Sequence, residues 1–222
     1  DLAGLPVDAK KTLLGNRFFL PVQEGYQDNS TSWGHDVEAA KKLLDGAGWA
    51  AGSDGVRAKD GTKLELVMTI PSNAPVATNE ANLLQKQLGE VGIKLSVSTV
   101  EIDKYFPEYI NKKNYALTAF TSEKTQYPLA NVGQYYASTS QSNYTGLSVP
   151  EVDQHVAKIG STPDGAERNK LANELDKILW ENVFNIPIYQ RMQLTAVPKT
   201  LRNFGAQGLA SFRPERIGYV KS

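Results

Sequence analysis

The sequence predicts an α/β fold in which a mixed sheet is flanked by helices. A strand, a helix and a second strand follow one another between Lys63 and Val100, at the spacing of a parallel βαβ unit. Amphipathic helical stripes recur on both sides of this unit, and Asp-Gly pairs mark turns. Because 222 residues suffice for one sizeable core, we expect one α/β domain over residues 1–222.

The amino-terminal part is predicted to hold two helices separated by a long ordered loop. Leu5 to Leu14 has the pattern of a short helix, and Asn16 to Trp33 is polar, aromatic and rich in Gly, Asn and Gln. The second helix runs from about Asp36 to Ala47. Apolar residues recur there at helical spacing, and Asp36 can cap the free amide groups.

The βαβ unit follows two turn signals, Asp54-Gly55 and Asp60-Gly61. Lys63 to Ile70 alternates in polarity and then becomes apolar, which is typical of a strand. A helix is predicted from about Val76 to Val91, where apolar residues step by three and four. Ile93 to Val100 alternates again, and we expect it to pair in parallel with the first strand.

The middle of the chain continues the alternation of helices and strands. We expect a helix over Asp103 to Lys112, a third strand over Tyr115 to Phe120, and another helix over Pro128 to Tyr136. The third strand leads directly into a polar loop.

The carboxy-terminal part is predicted to be helical first and extended afterwards. Ser148 and Glu151 have the spacing of a capping box ahead of an apolar stripe. The longest helix opens at Thr162-Pro163 and reaches about Val183. Two strands are expected after it, over Asn185 to Gln190 and Gln193 to Val197.

Composition and motifs argue against several classes of function. The formal net charge is +0, so nothing favours nucleic acid as a partner. Cysteine is absent, so disulfides, thiolate metal sites and a cysteine nucleophile are excluded. Only two histidines are present. No motif of a serine hydrolase, zinc protease or phosphate-binding loop occurs. We therefore expect a binding module that is not an enzyme, with no cofactor and no metal site.

Polar and aromatic residues follow the third predicted strand, where open α/β sheets bind ligands. Tyrosine supplies flat apolar area with a hydroxyl, and amide side chains adapt their donors and acceptors to a ligand. We expect the segment Phe120 to Tyr127 to line a ligand cleft. Aromatic rings would stack on the ligand, small polar groups would bond it, and Glu123 would hold a positive group. The candidate ligand-binding residues are Phe120, Ser122, Glu123, Thr125, Gln126, Tyr127 and Tyr144.

A structural interpretation of the same residues stays open at this point. In that interpretation, Glu123 and Lys124 are a solvated pair and Tyr127 packs on the core beside Pro128.

Five segments, in order along the chain, resemble family 5 of the solute-binding proteins of ABC importers, the oligopeptide, dipeptide and nickel type. They are DVEAAKKLLDGAGW (Asp36 to Trp49), DGVRAKDGTKLELVMTIPS (Asp54 to Ser72), EANLLQKQLGEVGIKLSVSTV (Glu80 to Val100), NYTGLSVPEVDQHV (Asn143 to Val156) and ERNKLANELDKILWENVFNIPIYQR (Glu167 to Arg191). Each motif is weak alone, but the ordered set covers nearly the whole chain. The stretches LPVQEGYQDN and PLANVGQYYAS are similar to actinobacterial sequences.

The resemblance implies one lobe of a two-lobed, periplasmic-binding-protein-like fold, the carboxy-terminal lobe of a protein about twice as long or more. It implies capture of a peptide or other small polar solute outside the membrane, by a cell-surface lipoprotein or a periplasmic protein. The implied partners are the membrane subunits of an ABC importer and the missing amino-terminal lobe. The ligand stays open among peptides, metal chelates, sugars and haem.

The sequence departs from the family pattern after the third predicted strand. Family members commonly have a Trp there, and then an Asp that holds the amino group of a peptide. Here Phe120 takes the aromatic place, Glu123 falls where the acid would be, and the spacing to Pro128 is one residue longer. Two other functions stay open: a hydrolase-like α/β enzyme, and an extracellular sensor or chaperone that does not transport.

Overall fold

A computed structural model describes residues 13–191 and 194–220, and their contacts cluster in two compact units. One unit combines the stretch up to Ser32 with Glu123–Ser140 and the part from Leu147 onward. The other comprises Trp33–Ser122 and Gln141–Gly146. We call them the helical unit and the sheet unit. The α/β class is confirmed. The single lobe over residues 1–222 stays a prediction, since two contact units can belong to one lobe.

The sheet unit is built around three parallel strands. Its elements are α1 (Val37–Gly46), β1 (Ala58–Lys59), β2 (Thr62–Lys63), β3 (Glu65–Pro71), α2 (Pro75–Glu90), β4 (Lys94–Val100), α3 (Ile102–Lys104), a π-helical turn (Tyr105–Ile110) and β5 (Leu117–Thr118). The strand order is β4-β3-β5, and β3 pairs in parallel with both neighbours. β1 and β2 form a separate antiparallel hairpin.

The predicted βαβ unit is confirmed. Ala77 and Ala81 of α2 join Met68 and Ile70 of β3 and Leu95 of β4 in one buried cluster. Small residues on the helix let its backbone approach the sheet closely, which suits a crossover between parallel strands.

The predicted turn at Asp60-Gly61 is also confirmed. Asp60 and Gly61 have φ of 51° and 79° and connect β1 to β2. A two-residue connection of this kind needs left-handed backbone at both positions, which Asp tolerates and Gly favours. At α1, Asp36 caps the helix by accepting a hydrogen bond from the Ala39 amide at 2.9 Å.

Two elements of the sheet unit are shorter than predicted. The helix expected over Asp103 to Lys112 has one α-helical turn and continues as a π-helical turn, because Pro107 has no amide hydrogen to donate. The third strand is only β5, and just beyond its carboxyl end the Ala119 carbonyl accepts from the Tyr105 hydroxyl at 3.0 Å.

The helical unit is built on two packed helices. Its elements are α4 (Val132–Tyr136), α5 (Pro150–Ser161), α6 (Gly165–Glu181), β6 (Leu201–Arg202), a short 3₁₀ turn (Pro214–Arg216) and β7 (Gly218–Tyr219). Val152 and Ile159 of α5 and Leu175 and Leu179 of α6 lie in a core that also contains Phe19. The apolar stripes read from the sequence are therefore the buried faces of α5 and α6.

Helix starts in this unit differ from the predictions. The capping box at Ser148 and Glu151 is wrong, because Pro150 occupies the start of α5 and Val149 is its N-cap residue, with no side-chain bond. α6 begins at Gly165, where Asp164 caps it by accepting from the Glu167 amide at 2.8 Å.

The strands expected after α6 are not formed in the described part of the chain. Tyr189 makes a single antiparallel bridge with Leu13, and residues 194–197 are irregular. Nearly all of the helix expected at Leu5 to Leu14 lies outside the described residues, as do Met192 and Gln193.

A buried polar network joins the amino-terminal loop to α6. The Arg17 guanidinium pairs with the Asp176 carboxylate at 3.1 Å, and the two side chains are 1% and 0% exposed. Arg17 also lies 4.3 Å above the ring of Trp180, and its Nε donates to Asn185 at 2.8 Å. Asn29 donates to the second carboxylate oxygen at 2.8 Å. We call this network the Arg17 node. It gives the buried Arg17 guanidinium a counter-charge and hydrogen-bond partners, without which its burial would destabilise the fold.

Candidate functional site

The residues predicted to bind ligand belong to both units. Phe120, Ser122 and Tyr144 belong to the sheet unit. Glu123, Thr125, Gln126 and Tyr127 belong to the helical unit.

An aromatic row lies beyond the carboxyl end of β5 in the sheet unit. It consists of Phe106, Phe120 and Tyr144, with Phe120 in the middle. Its ring centroid is 5.6 Å from each of the other two, and both contacts are edge-to-face. Phe106 and Phe120 are 42% and 43% exposed. Exposed aromatic rings that are held by their neighbours present a ready apolar surface to a ligand.

Two tyrosine hydroxyl groups fix the backbone beneath the aromatic row. The Tyr105 hydroxyl bonds the Thr118 side chain at 2.5 Å and the Ala119 carbonyl at 3.0 Å. The Tyr115 hydroxyl donates to the carbonyl of Tyr144 at 2.6 Å. Burial raises the pKa of both phenols, so both stay protonated and able to donate at neutral pH. These bonds therefore restrain the backbone next to Phe120 and at Tyr144.

The polar candidates form a short stretch of the helical unit, Glu123–Tyr127, which we call the anchored segment. Glu123, Thr125, Gln126 and Tyr127 are exposed, with Tyr127 68% exposed. The Thr125 hydroxyl accepts from the Tyr127 amide at 3.1 Å, which closes a local turn. Carboxylate, amide and phenol groups are thus presented to solvent together.

Two side chains tie the anchored segment to the rest of its unit. The Lys124 ammonium donates to the backbone carbonyl of Arg17. Gln23 donates to the Thr125 carbonyl at 3.1 Å and accepts from the Leu20 amide at 2.9 Å.

The structural interpretation of this segment is wrong on both counts. Lys124 bonds Arg17 rather than Glu123, and Tyr127 is exposed rather than packed on the core. The ligand-binding role of the seven predicted residues stays a prediction.

Phe106 and Gln23 were not predicted to belong to this region, and Lys124 lay in the predicted segment Phe120 to Tyr127 without a role of its own. The adjacent aromatics at Tyr105-Phe106 were a usable signal for Phe106. Nothing in the sequence signals Gln23, whose contact lies 102 positions away.

Two further features of residues 13–191 and 194–220 concern metal ions and membranes. No group of three or more His, Asp or Glu side chains there is placed to hold a metal ion. No helix in these ranges is both long and apolar enough to cross a bilayer.

Sequence comparisons connect most of the chain to known proteins. Residues 11–145 match the profile of the bacterial extracellular solute-binding proteins, family 5 Middle. Over 208 residues the chain is 32% identical to the oligopeptide-binding protein OppA of Mycobacterium tuberculosis. That match covers 94% of this chain and 35% of the relative, so the chain spans about a third of the length of the curated relatives it matches.

Solved structures of oligopeptide-binding proteins contain a part with the same fold as this chain. The oligopeptide-binding protein of Thermus thermophilus, solved with a pentapeptide, matches with a TM-score of 0.74 and 19% identity, over 88% of this chain and 36% of that one. AppA of Bacillus subtilis, solved with a nonapeptide, matches with a TM-score of 0.73 and 18% identity, over 90% and 41%.

Proposed function

This chain belongs to the bacterial extracellular solute-binding proteins of family 5, and we propose that it forms part of a receptor that captures peptide-like solutes for an ABC importer. The proposal includes the expectation that residues 1–222 form the carboxy-terminal lobe, working with an amino-terminal lobe and with the membrane subunits. It places the protein outside the cytoplasm, as a lipoprotein or in a periplasm. It also includes the absence of catalysis, since the family is one of binding proteins.

The aromatic row carries this proposal. Its middle residue, Phe120, follows β5, and the carboxyl ends of parallel strands are where open α/β sheets bind ligands. A rigid apolar surface loses little conformational freedom on binding, so more of the contact free energy appears as affinity. The apolar side chains of a peptide offer area that can pack against these rings. The relatives named above for their peptides support this class of ligand.

Replacing Phe120 with alanine should weaken peptide binding by about ten-fold or more, because it removes the middle ring of the row. The measurement is titration of the full-length protein with a pool of random pentapeptides that have free amino termini. Phe204→Ala is the matched control, since Phe204 is 40% exposed but lies in the helical unit. Equal losses in both variants would show that the row has no special role.

Glu123→Gln should weaken binding of the same pool by about ten-fold or more, because a charge-assisted bond to the peptide amino group contributes about 1.5–3 kcal/mol. Acetylating the peptides removes the positive charge. Wild-type protein should then bind the acetylated pool as weakly as the variant does. Glu181→Gln, at an exposed position of the same unit, is the control. If the variant and the wild type discriminate equally against acetylated peptides, Glu123 does not hold the amino group.

A further inference from the structure

We propose that Lys124 is a positioning residue that holds the anchored segment against the Arg17 node and so presents Glu123 and its neighbours to the ligand. This inference rests on the proposed function and deepens it, because it names the group that orders part of the binding surface.

The anchor point is a buried residue of the amino-terminal loop with several hydrogen bonds. The backbone carbonyl that receives Lys124 belongs to Arg17. The Arg17 amide donates to Asp176 at 3.1 Å, and its guanidinium is paired with the same carboxylate. The backbone amide and the side chain of Arg17 are therefore both held by residues of α6, Asp176 and Trp180. A bond to this carbonyl transfers that rigidity to the segment carrying Lys124.

Lys124 is half-buried, whereas the four other residues of the anchored segment are exposed. Its side chain turns inward while Glu123 on one side and Thr125 on the other face solvent. In the described part of the chain no carboxylate forms an ion pair with Lys124. The buried partner of the ammonium is thus a backbone carbonyl rather than a carboxylate.

Burial of the Lys124 ammonium disfavours its charged form. Burial lowers the pKa of the Lys124 ammonium, and the charge of Asp176 offsets that effect only in part. A lysine whose folded-state pKa lies below its unfolded value weakens the fold at any pH where it is charged, and the fold gains stability as the pH rises through the folded-state pKa. Burial alone therefore does not favour a charged lysine at this position, whereas the bond to the Arg17 carbonyl gives its inward orientation a structural role.

The first test measures order without any ligand. In the full-length protein, Lys124→Met should make amide hydrogen exchange across residues 123–127 roughly ten-fold faster, because the segment loses one of its two tethers. The melting temperature should not fall, since the variant also removes a buried charge. Lys170→Met, at an exposed lysine of α6, should change neither quantity.

The second test measures binding of the random pentapeptide pool. Lys124→Met should bind about ten-fold more weakly than wild type, and Lys124→Arg, which keeps donors of sufficient reach, should restore slow exchange and most of the affinity. Unchanged exchange in Lys124→Met overturns the inference. So does a fall in melting temperature that accompanies the loss of affinity and that Lys124→Arg does not reverse.

The two proposals fail separately. If the wild-type protein binds no pentapeptide, the proposed function is wrong, while the exchange measurement still decides whether Lys124 holds the segment. If wild type binds and Lys124→Met binds equally well, only the positioning role is wrong.

Discussion

Replacing Asp176 with alanine is expected to lower the free energy of unfolding by about 3–5 kcal/mol, because it leaves the Arg17 guanidinium buried without its counter-charge. The two side chains are essentially inaccessible to solvent, and Asp176 also accepts bonds from the Arg17 amide and from Asn29. Urea unfolding followed by circular dichroism measures the loss. The Glu167→Ala variant serves as control, since it breaks an exposed pair with Lys170 and should cost less than about 1 kcal/mol.

A double variant separates the charge from the packing around it. Arg17→Met with Asp176→Leu removes both charges and keeps apolar volume, so it should be more stable than Asp176→Ala alone. If Asp176→Ala costs no more than Glu167→Ala, the Arg17 node does not hold the amino-terminal loop. The anchor assigned to Lys124 would then lose its support as well.

Leu175→Ala is expected to cost about 2–5 kcal/mol, because Leu175 is fully buried between α5, α6 and the amino-terminal loop. Leu84→Ala should cost less than Leu175→Ala, because Leu84 only packs at the margin of the buried cluster in the sheet unit. Leu83, which is 56% exposed, provides the control position on the same helix. Equal losses at Leu175 and Leu83 would contradict the assignment of the core.

The regular elements could be predicted because local signals and burial agree there. The stripe of α2, the alternation in β3 and β4, and the Asp60-Gly61 turn each have a periodicity or a backbone preference that tertiary contacts reinforce. Where two local signals compete, the stronger steric one decides. Pro150 sets the start of α5 in place of the capping box, and Pro107 converts a predicted α-helix into a π-helical turn.

The candidate site was predicted less completely, because its supports come from distant parts of the chain. The sequence identified Phe120 and Tyr144 as aromatic residues in loops. Their contact depends on the path of the chain between them, because the two residues lie 24 positions apart. Lys124 looked like the partner of the adjacent Glu123, whereas it bonds a carbonyl 107 positions away. Local sequence carries no information about such contacts, so the tethers of the anchored segment emerge only from the three-dimensional arrangement.

Peptide capture is tested most directly by a thermal-shift titration of the full-length protein with a library of tri- to nonapeptides. We expect a subset of peptides to raise the melting temperature by several degrees, saturably and without being consumed, since a ligand at 100 times its dissociation constant stabilises the folded state by about 2.7 kcal/mol. A library that leaves the melting temperature unchanged throughout, or peptides that are cleaved during the titration, would contradict a peptide-binding receptor.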